Sequence, residues 1–440
     1  MGEKMKMIQS ILLLTLLPAL FLGAQQEIRI RISDGVSMIP VAFPRVTFAV
    51  QSAVKEDAVR ADVEDTLWND LEFSRVFRMV PREHYSYIET FDPQNIRFRD
   101  WESIQANILI SCQVEMPEAS RIVMAFRVYD VRNGGRFIFG RNFGGKREFA
   151  RLIAHRAADE MMKQFGETPL FTSKIIFVSS RDGNDEIYMM DYDGGRQRRI
   201  TINSWMDVLP SWSRDHEKIL FTSYRNNNPD LLMFHLYTGK TEFLSTQRAN
   251  YCADWAPESN QIVYTSTKSG NAELYVRDMD TGRERRLTFN RVIDTAPNWS
   301  PSGREIVFTS ARTGTPQIYI MDAEGTNVRR LTTEGNYHDS PEWSPDGTRI
   351  LFVSRIENRF DVFTYHVRTN SITKLTENAG RNENPSWSPD GRHIVFASNR
   401  GGSYQLYLMD YDGANVKRLT STGENKMPKW QKFTHRRFDN

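Results

Sequence analysis

Two periods divide this chain. Up to about residue 166 the apolar positions switch between the two-residue alternation of strands and the four-residue recurrence of amphipathic helices. Glu27-Ile28-Arg29-Ile30-Arg31-Ile32 alternates strictly, isoleucine on one face and charge on the other. Such a strand either pairs with its own sheet or is offered to the open edge of another protein's sheet. Pro44 to Val50 predicts a second strand, and Val59, Val63, Leu67 and Leu71 predict a helix over 57–71. Phe77 to Val80, Ile108 to Val114, Arg121 to Asp130 and Phe137 to Phe143 predict strands, the last two joined across Asn133-Gly134-Gly135. A short helix is expected over 101–106. A long one, over 148–165, is closed by Gly166 as its cap and blocked by Pro169.

Beyond Phe171 the pattern becomes a repeat. Trp212, Trp255, Trp299, Trp343, Trp387 and Trp430 fall at steps of 43, 44, 44, 44 and 43 residues. Most carry a proline two residues before and a serine and turn after, such as Ser344-Pro345-Asp346-Gly347. Ser213-Arg214-Asp215-His216 and Ala256-Pro257-Glu258-Ser259 replace that turn in two copies. Each unit reads as four strands. Strand A carries the tryptophan, B is of the Ile-Val-Phe type (Ile394 to Phe396), C is of the Ile-Tyr-x-Met-Asp type (Ile318 to Asp322), and D ends in Leu-Thr (Leu419-Thr420). A period in the forties built of short strands is the signature of a β-propeller. The first B strand lacks a preceding tryptophan segment, and the last tryptophan segment lacks a following B strand. Together they complete one blade. The fold class expected is a mixed α/β domain followed by a six-bladed β-propeller closed by strands from both ends of the array.

The chain has 440 residues, 25% charged, with a formal net charge of +2, which gives no bulk attraction for nucleic acid. Lys4 and Lys6 precede an apolar run from Ile8 to Leu22 ending in Gly23-Ala24, the form of a cleavable export signal. The expected divisions are a signal peptide over 1–24, an α/β domain over 25–166, a linker or hinge over 167–171, the propeller over 172–433 and a tail over 434–440. The mature chain is expected to be exported, not inserted in a membrane, and monomeric. Cys112 and Cys252 are expected to be buried free thiols.

No nucleophile elbow, His-Glu-x-x-His, Cys-x-x-Cys or phosphate loop occurs, and the eight histidines show no ligand spacing. No catalytic residue, resident metal or cofactor is expected, although a cation such as calcium in the channel is compatible with the pattern. The recurrent aspartates sit where side chains bond turn backbone. A basic residue follows each B strand (Arg181, Arg225, Lys268, Arg312, Arg355, Arg400), read either as a blade-to-blade ion pair or as a binding group. Five residues before each tryptophan stand Asp207, Asn250, Asp294, His338, Asn382 and Asn425; four before stand Val208, Tyr251, Thr295, Asp339, Glu383 and Lys426. They are placed in the loops from D into A, ringing the channel mouth. They are read as recognition residues on a rigid scaffold, or as solvated groups holding water or a stray cation.

The export signal, the α/β domain and the six repeats in this order resemble the TolB family, periplasmic propeller proteins of the Tol–Pal system. Glu27-Ile28-Arg29-Ile30 with Ser33-Asp34-Gly35, and the run Arg151 to Glu160 with His155 and Ala158-Asp159-Glu160, are similar to that family. The resemblance implies a non-enzymatic scaffold of outer-membrane integrity and of constriction during division. It implies a peptidoglycan-associated lipoprotein, Pal, at the mouth residues Asp207, Asn250, Tyr251, Asp294, Thr295, His338, Asp339, Asn382, Glu383, Asn425 and Lys426. It implies an inner-membrane TolA-like partner at Glu27, Ile28, Arg29, Ile30, Arg31 and Ile32. The alternatives are the regulatory propeller of a serine peptidase and a glycan-binding propeller.

Overall fold

The computed structural model describes residues 38–49, 56–88 and 91–432. The expected export signal, the Glu27 to Ile32 segment and the tail lie outside these residues.

The N-terminal sheet is built from β1 (Ile39–Ala42), β2 (Thr47–Phe48), β3 (Phe77–Met79), β4 (Ile108–Glu118), β5 (Arg121–Asp130) and β6 (Arg136–Lys146). Its order is β3-β1-β4-β5-β6, with β2 beside β4. β1 runs parallel to β3 and β4, and β4, β5 and β6 form an antiparallel meander. The strand expected over Pro44 to Val50 is seen only at Thr47–Phe48, and Ile39–Ala42 takes the place between β3 and β4. Four residues with a proline among them carry too little alternation to be read.

Helices α1 (Glu56–Phe73) and α3 (Ala150–Gln164) pack on each other, and α3 packs on β6. Val59, Val63, Leu67 and Leu71 are all buried, as the four-residue recurrence requires. Each such side chain stabilises by about 1.5–3 kcal/mol. The short helix α2 (Phe98–Ser103) lies a little ahead of its expected place and buries Trp101. α3 ends in a Schellman motif. Gly166 takes φ +77° and its N–H meets the Lys163 carbonyl, while the Glu167 N–H meets that of Met162.

The connector after α3 is pinned. Asp159 accepts the backbone N–H of Leu170 (2.8 Å), Phe171 (2.7 Å) and Thr172 (3.0 Å), and Leu170 and Phe171 are fully buried. These contacts tie the segment to α3. One continuous apolar cluster runs from α1 and α3 through Phe171 into Ile175, Tyr192, Val395 and Trp430.

The propeller has six four-stranded sheets. Its A strands are Asp207–Trp212, Asn250–Trp255, Asp294–Trp299, His338–Trp343, Asn382–Trp387 and Asn425–Trp430. The last pairs antiparallel with Lys174–Ser179, the first B strand, so both ends of the array share one blade. We number that closing blade 1 and the others 2 to 6 in chain order. The tryptophans pack between blades. Trp387 of blade 6 sits among Leu351, Val362 and Leu375 of blade 5. The turn aspartates bond locally: Asp346 Oδ1 accepts the Ser344 hydroxyl (2.5 Å) and the Thr348 N–H (3.0 Å).

The N-terminal domain sits on the A–B turn of blade 6 and the C–D turns of blades 1 and 6. Phe73 stacks on His393 (3.8 Å between centroids), Arg75 pairs with Asp410, Arg392 with Glu167 (2.6 Å) and Arg151 with Asp193. The opposite face carries the D–A and B–C loops and leaves the channel mouth open.

Candidate functional site: the channel mouth

Every A strand carries a β-bulge at its third residue before the tryptophan. Leu209, Cys252, Ala296, Ser340, Asn384 and Met427 stand there with φ between +49° and +54°. Each bulge bends the inner strand and re-aims the residues on either side of it. With the prolines that follow, these residues line an axial cavity of about 100 Å³. Toward the N-terminal domain the channel is barred. Lys429 of blade 1 reaches across to pair with Glu342 of blade 5, and Lys432 lies 3.9 Å from the same carboxylate.

The two expected sets of ring residues separate. Asp207, Asn250, Asp294, His338, Asn382 and Asn425 begin the A strands and are buried, none more than 5% exposed. Their side chains are taken up by bonds within the propeller. Asp294 accepts from Arg312 (2.9 Å), Asn382 from Arg400 (2.9 Å) and Asn425 from Arg181 (2.9 Å). His338 sits against the Glu334 carbonyl (2.6 Å), and burial holds its pKa below the ordinary value. Burial likewise raises Asp207 and Asp294. Arg181, Lys268, Arg312 and Arg400 bond inside their own blades, which corrects the blade-to-blade reading for those four, and Arg225 lies over Phe243 of its own blade (5.6 Å). Arg181, Arg312 and Arg400 each lie over the C-strand tyrosine as well, at 4.7, 4.9 and 4.8 Å.

The next position along the strand does face the mouth. Tyr251, Thr295, Asp339, Glu383 and Lys426 are half-buried, and Val208 is buried. Asp339 accepts from Tyr337 (3.0 Å) and Thr309 (2.9 Å), and Glu383 from Tyr404 (2.9 Å). Burial and the Glu383 carboxylate push the Tyr404 phenol up to about 12, so it stays a donor. Arg381 stands 3.6 Å from Glu383, and Lys426 pairs with Glu424 (2.6 Å). Blades 5, 6 and 1 thus present a charged arc whose carboxylates are held by tyrosine hydroxyls.

Blades 2 and 4 present something the sequence reading missed. Ile202, Trp205 and Met206 lie exposed in the connector into blade 2, with Tyr224 beside its B strand. Phe289, Val292 and Ile293 are exposed in the connector into blade 4. A search for apolar residues in the D–A connectors, where the other blades have polar ones, would have found them. Cys252 at the bulge of blade 3 is a free thiol, half-buried where a buried one was expected, and burial pushes its pKa up to about 12.

Fold and site together define a class: a six-bladed propeller whose one face is occupied by an α/β domain and whose other face carries a rim with a charged side and an apolar side. Two family models match, the TolB amino-terminal domain over residues 28–137 and the TolB beta propeller domain over residues 162–434. The chain belongs to the TolB family. It is 34% identical over 244 residues to "Tol-Pal system protein TolB" of Desulfosudis oleivorans, covering 54% of each chain. It is 31% identical over 236 residues to the protein of the same name from Dinoroseobacter shibae, covering 52% of each. The chain spans about half the length of the curated relatives it matches. The crystal structure of TolB from Acinetobacter baumannii superposes with a TM-score of 0.76 at 23% identity, covering 90% of this chain and 97% of that one, which shows the shared fold. Among the described residues no helix is long and apolar enough to cross a membrane.

Proposed function

We propose that this chain is a non-enzymatic periplasmic scaffold of the Tol–Pal system that docks a peptidoglycan-associated lipoprotein on its channel mouth. The observation that carries this reading is the mouth itself: a rim of half-buried polar groups flanked by exposed Trp205, Met206 and Ile293, turned away from the N-terminal domain. An aromatic anchor beside a ring of held charges is the composition of a protein-binding hot spot. The Glu27 to Ile32 segment is the second contact in this reading, offering its isoleucine face to a TolA-like inner-membrane protein. The two contacts together couple the outer layer of the envelope to an inner-membrane complex during constriction.

The test is binding of the chain to the soluble domain of the Pal-like lipoprotein from the same genome, followed by calorimetry. Trp205→Ala is expected to weaken the complex by about 2 kcal/mol, roughly 30-fold. Asp339→Lys with Glu383→Lys should slow association and change its salt dependence. Wild-type affinity in both variants, with circular dichroism unchanged, would remove the mouth from the interface.

A further inference from the structure

At the junction of the two domains a buried histidine faces two carboxylates. His155 comes from α3, and Asp191 and Asp193 come from the end of strand C of blade 1 and the turn after it. Their nearest ligand atoms lie within 4.8 Å of one another. Asp70 of α1 accepts from the Tyr192 hydroxyl (2.6 Å) through one oxygen and meets His155 Nδ1 (2.8 Å) through the other. The Asp70 carboxylate accepts the Nδ1–H at that distance, which in the neutral ring leaves Nε2 as a bare lone pair. His155 is 2% exposed, and its Nε2 has no hydrogen-bond partner. The lone pair looks at Asp193 Oδ2 across 4.0 Å.

That gap is too long for a hydrogen bond. It suits two ligands of one ion, since atoms each about 2.1 Å from a metal lie roughly 3–4 Å apart. Charge points the same way. Asp70, Asp191 and Asp193 bring three carboxylates, while Arg151 on Asp193 and Lys174 on Asp191 (2.6 Å) bring two cations. A lone pair and two carboxylates around a site with surplus negative charge call for a positive ion. The pattern of Asp70 on the far nitrogen of His155 is the support that metal-binding histidines usually have.

We propose that His155, Asp191 and Asp193 form a divalent metal site that ties the N-terminal domain to blade 1. One imidazole nitrogen and two carboxylate oxygens, with no sulfur, suit zinc or manganese. Calcium, which takes six to eight oxygen ligands, fits poorly. The ligands come from two domains, so no ligand spacing marks them in the sequence. The site lies on the face opposite the mouth, and it stands whether or not the mouth docks a lipoprotein.

The experiment uses the whole exported chain, stripped with a chelator and titrated with zinc chloride by calorimetry and by thermal melting. One equivalent of zinc should bind, and the melting temperature should rise with it. His155→Asn keeps a side-chain nitrogen for Asp70 and removes the ligand atom; it should abolish the rise while the stripped protein still melts cooperatively. Asp193→Asn should do the same from the other domain. Asp70→Asn should weaken zinc by about 10–100-fold. Zinc binding unchanged in both ligand variants overturns the proposal. So does a wild-type chain whose melting follows pH and ignores zinc, because a proton would then fill the gap.

Discussion

Glu342 shows how a single side chain is set by its place in the ring. It is 1% exposed, accepts the Trp387 N–H (3.2 Å) and the Ser386 hydroxyl (3.1 Å) of the next blade, and pairs with Lys429 across the channel. Burial opposes its ionisation, but Lys429 and Lys432 outweigh burial and hold its pKa below the ordinary value. A lowered folded value gives stability that is present above the unfolded value and lost as pH falls through the folded one. Below an unfolded value of about 4.3 the wild type should therefore lose this contribution. Glu342→Gln should cost about 3 kcal/mol at pH 7, because Lys429 is left without its partner. It should also flatten the acid limb of a melting-temperature profile. An acid limb identical to wild type would refute the assignment.

The same scale explains the misplaced half of the ring. The tryptophans gave the register, but the bulge at Leu209 and its five equivalents breaks the two-residue alternation. The phase cannot be carried back from Trp212 to Asp207, and Asp207 falls inside the blade while Tyr251, Thr295 and Glu383 reach the mouth. A bulge between ordinary side chains at positive φ leaves no mark in residue identity, whereas a glycine would have.

At the scale of the element, the repeat was legible because its motifs are interlocking parts. Gly325 takes φ +87° in the C–D turn of blade 4, and a methyl there would stand 2.6 Å from the Leu287 carbonyl oxygen of blade 3. The Asp-Gly of one blade and the Leu-Thr of its neighbour are thus two sides of one contact, repeated at Gly194 against Leu419. Gly239, at φ +69°, has nothing within 4 Å. Gly325→Ala should cost about 3 kcal/mol, from backbone strain and overpacking together. Gly239→Ala should cost about 1 kcal/mol from the backbone alone. Urea unfolding of the pair measures the difference, and equal losses would mean the close approach is relieved cheaply. The helices and the β4 to β6 meander were equally readable from their periods. Ile39–Ala42 was not, nor was the role of Asp159, whose three backbone contacts to the connector depend on a turn no pattern encodes.

At the scale of the whole molecule, closure was legible by counting strands, and Asn425–Trp430 pairs with Lys174–Ser179 as the count required. Removing residues 427–440 should therefore cost more stability than one strand's burial, since it opens the array at blade 1 and strips Trp430 from the cluster shared with the N-terminal domain. An unchanged melting temperature in that truncation would contradict it. The docking of the N-terminal domain was not legible, because its contacts pair residues hundreds of positions apart, such as Arg75 with Asp410.

That docking has a mechanical consequence. The joint where the ring is held by hydrogen bonds and side chains instead of continuous chain lies inside blade 1, between Asn425–Trp430, which follows on from blade 6, and Lys174–Ser179, which leads into the rest of blade 1. The N-terminal domain grips both blades, through Arg151 on blade 1 and Arg75 and Glu167 on blade 6. Tension applied to that domain is divided between the two sides of the joint. Load on the N-terminal domain therefore bears on a clasp that spans the joint, and not on one strand alone.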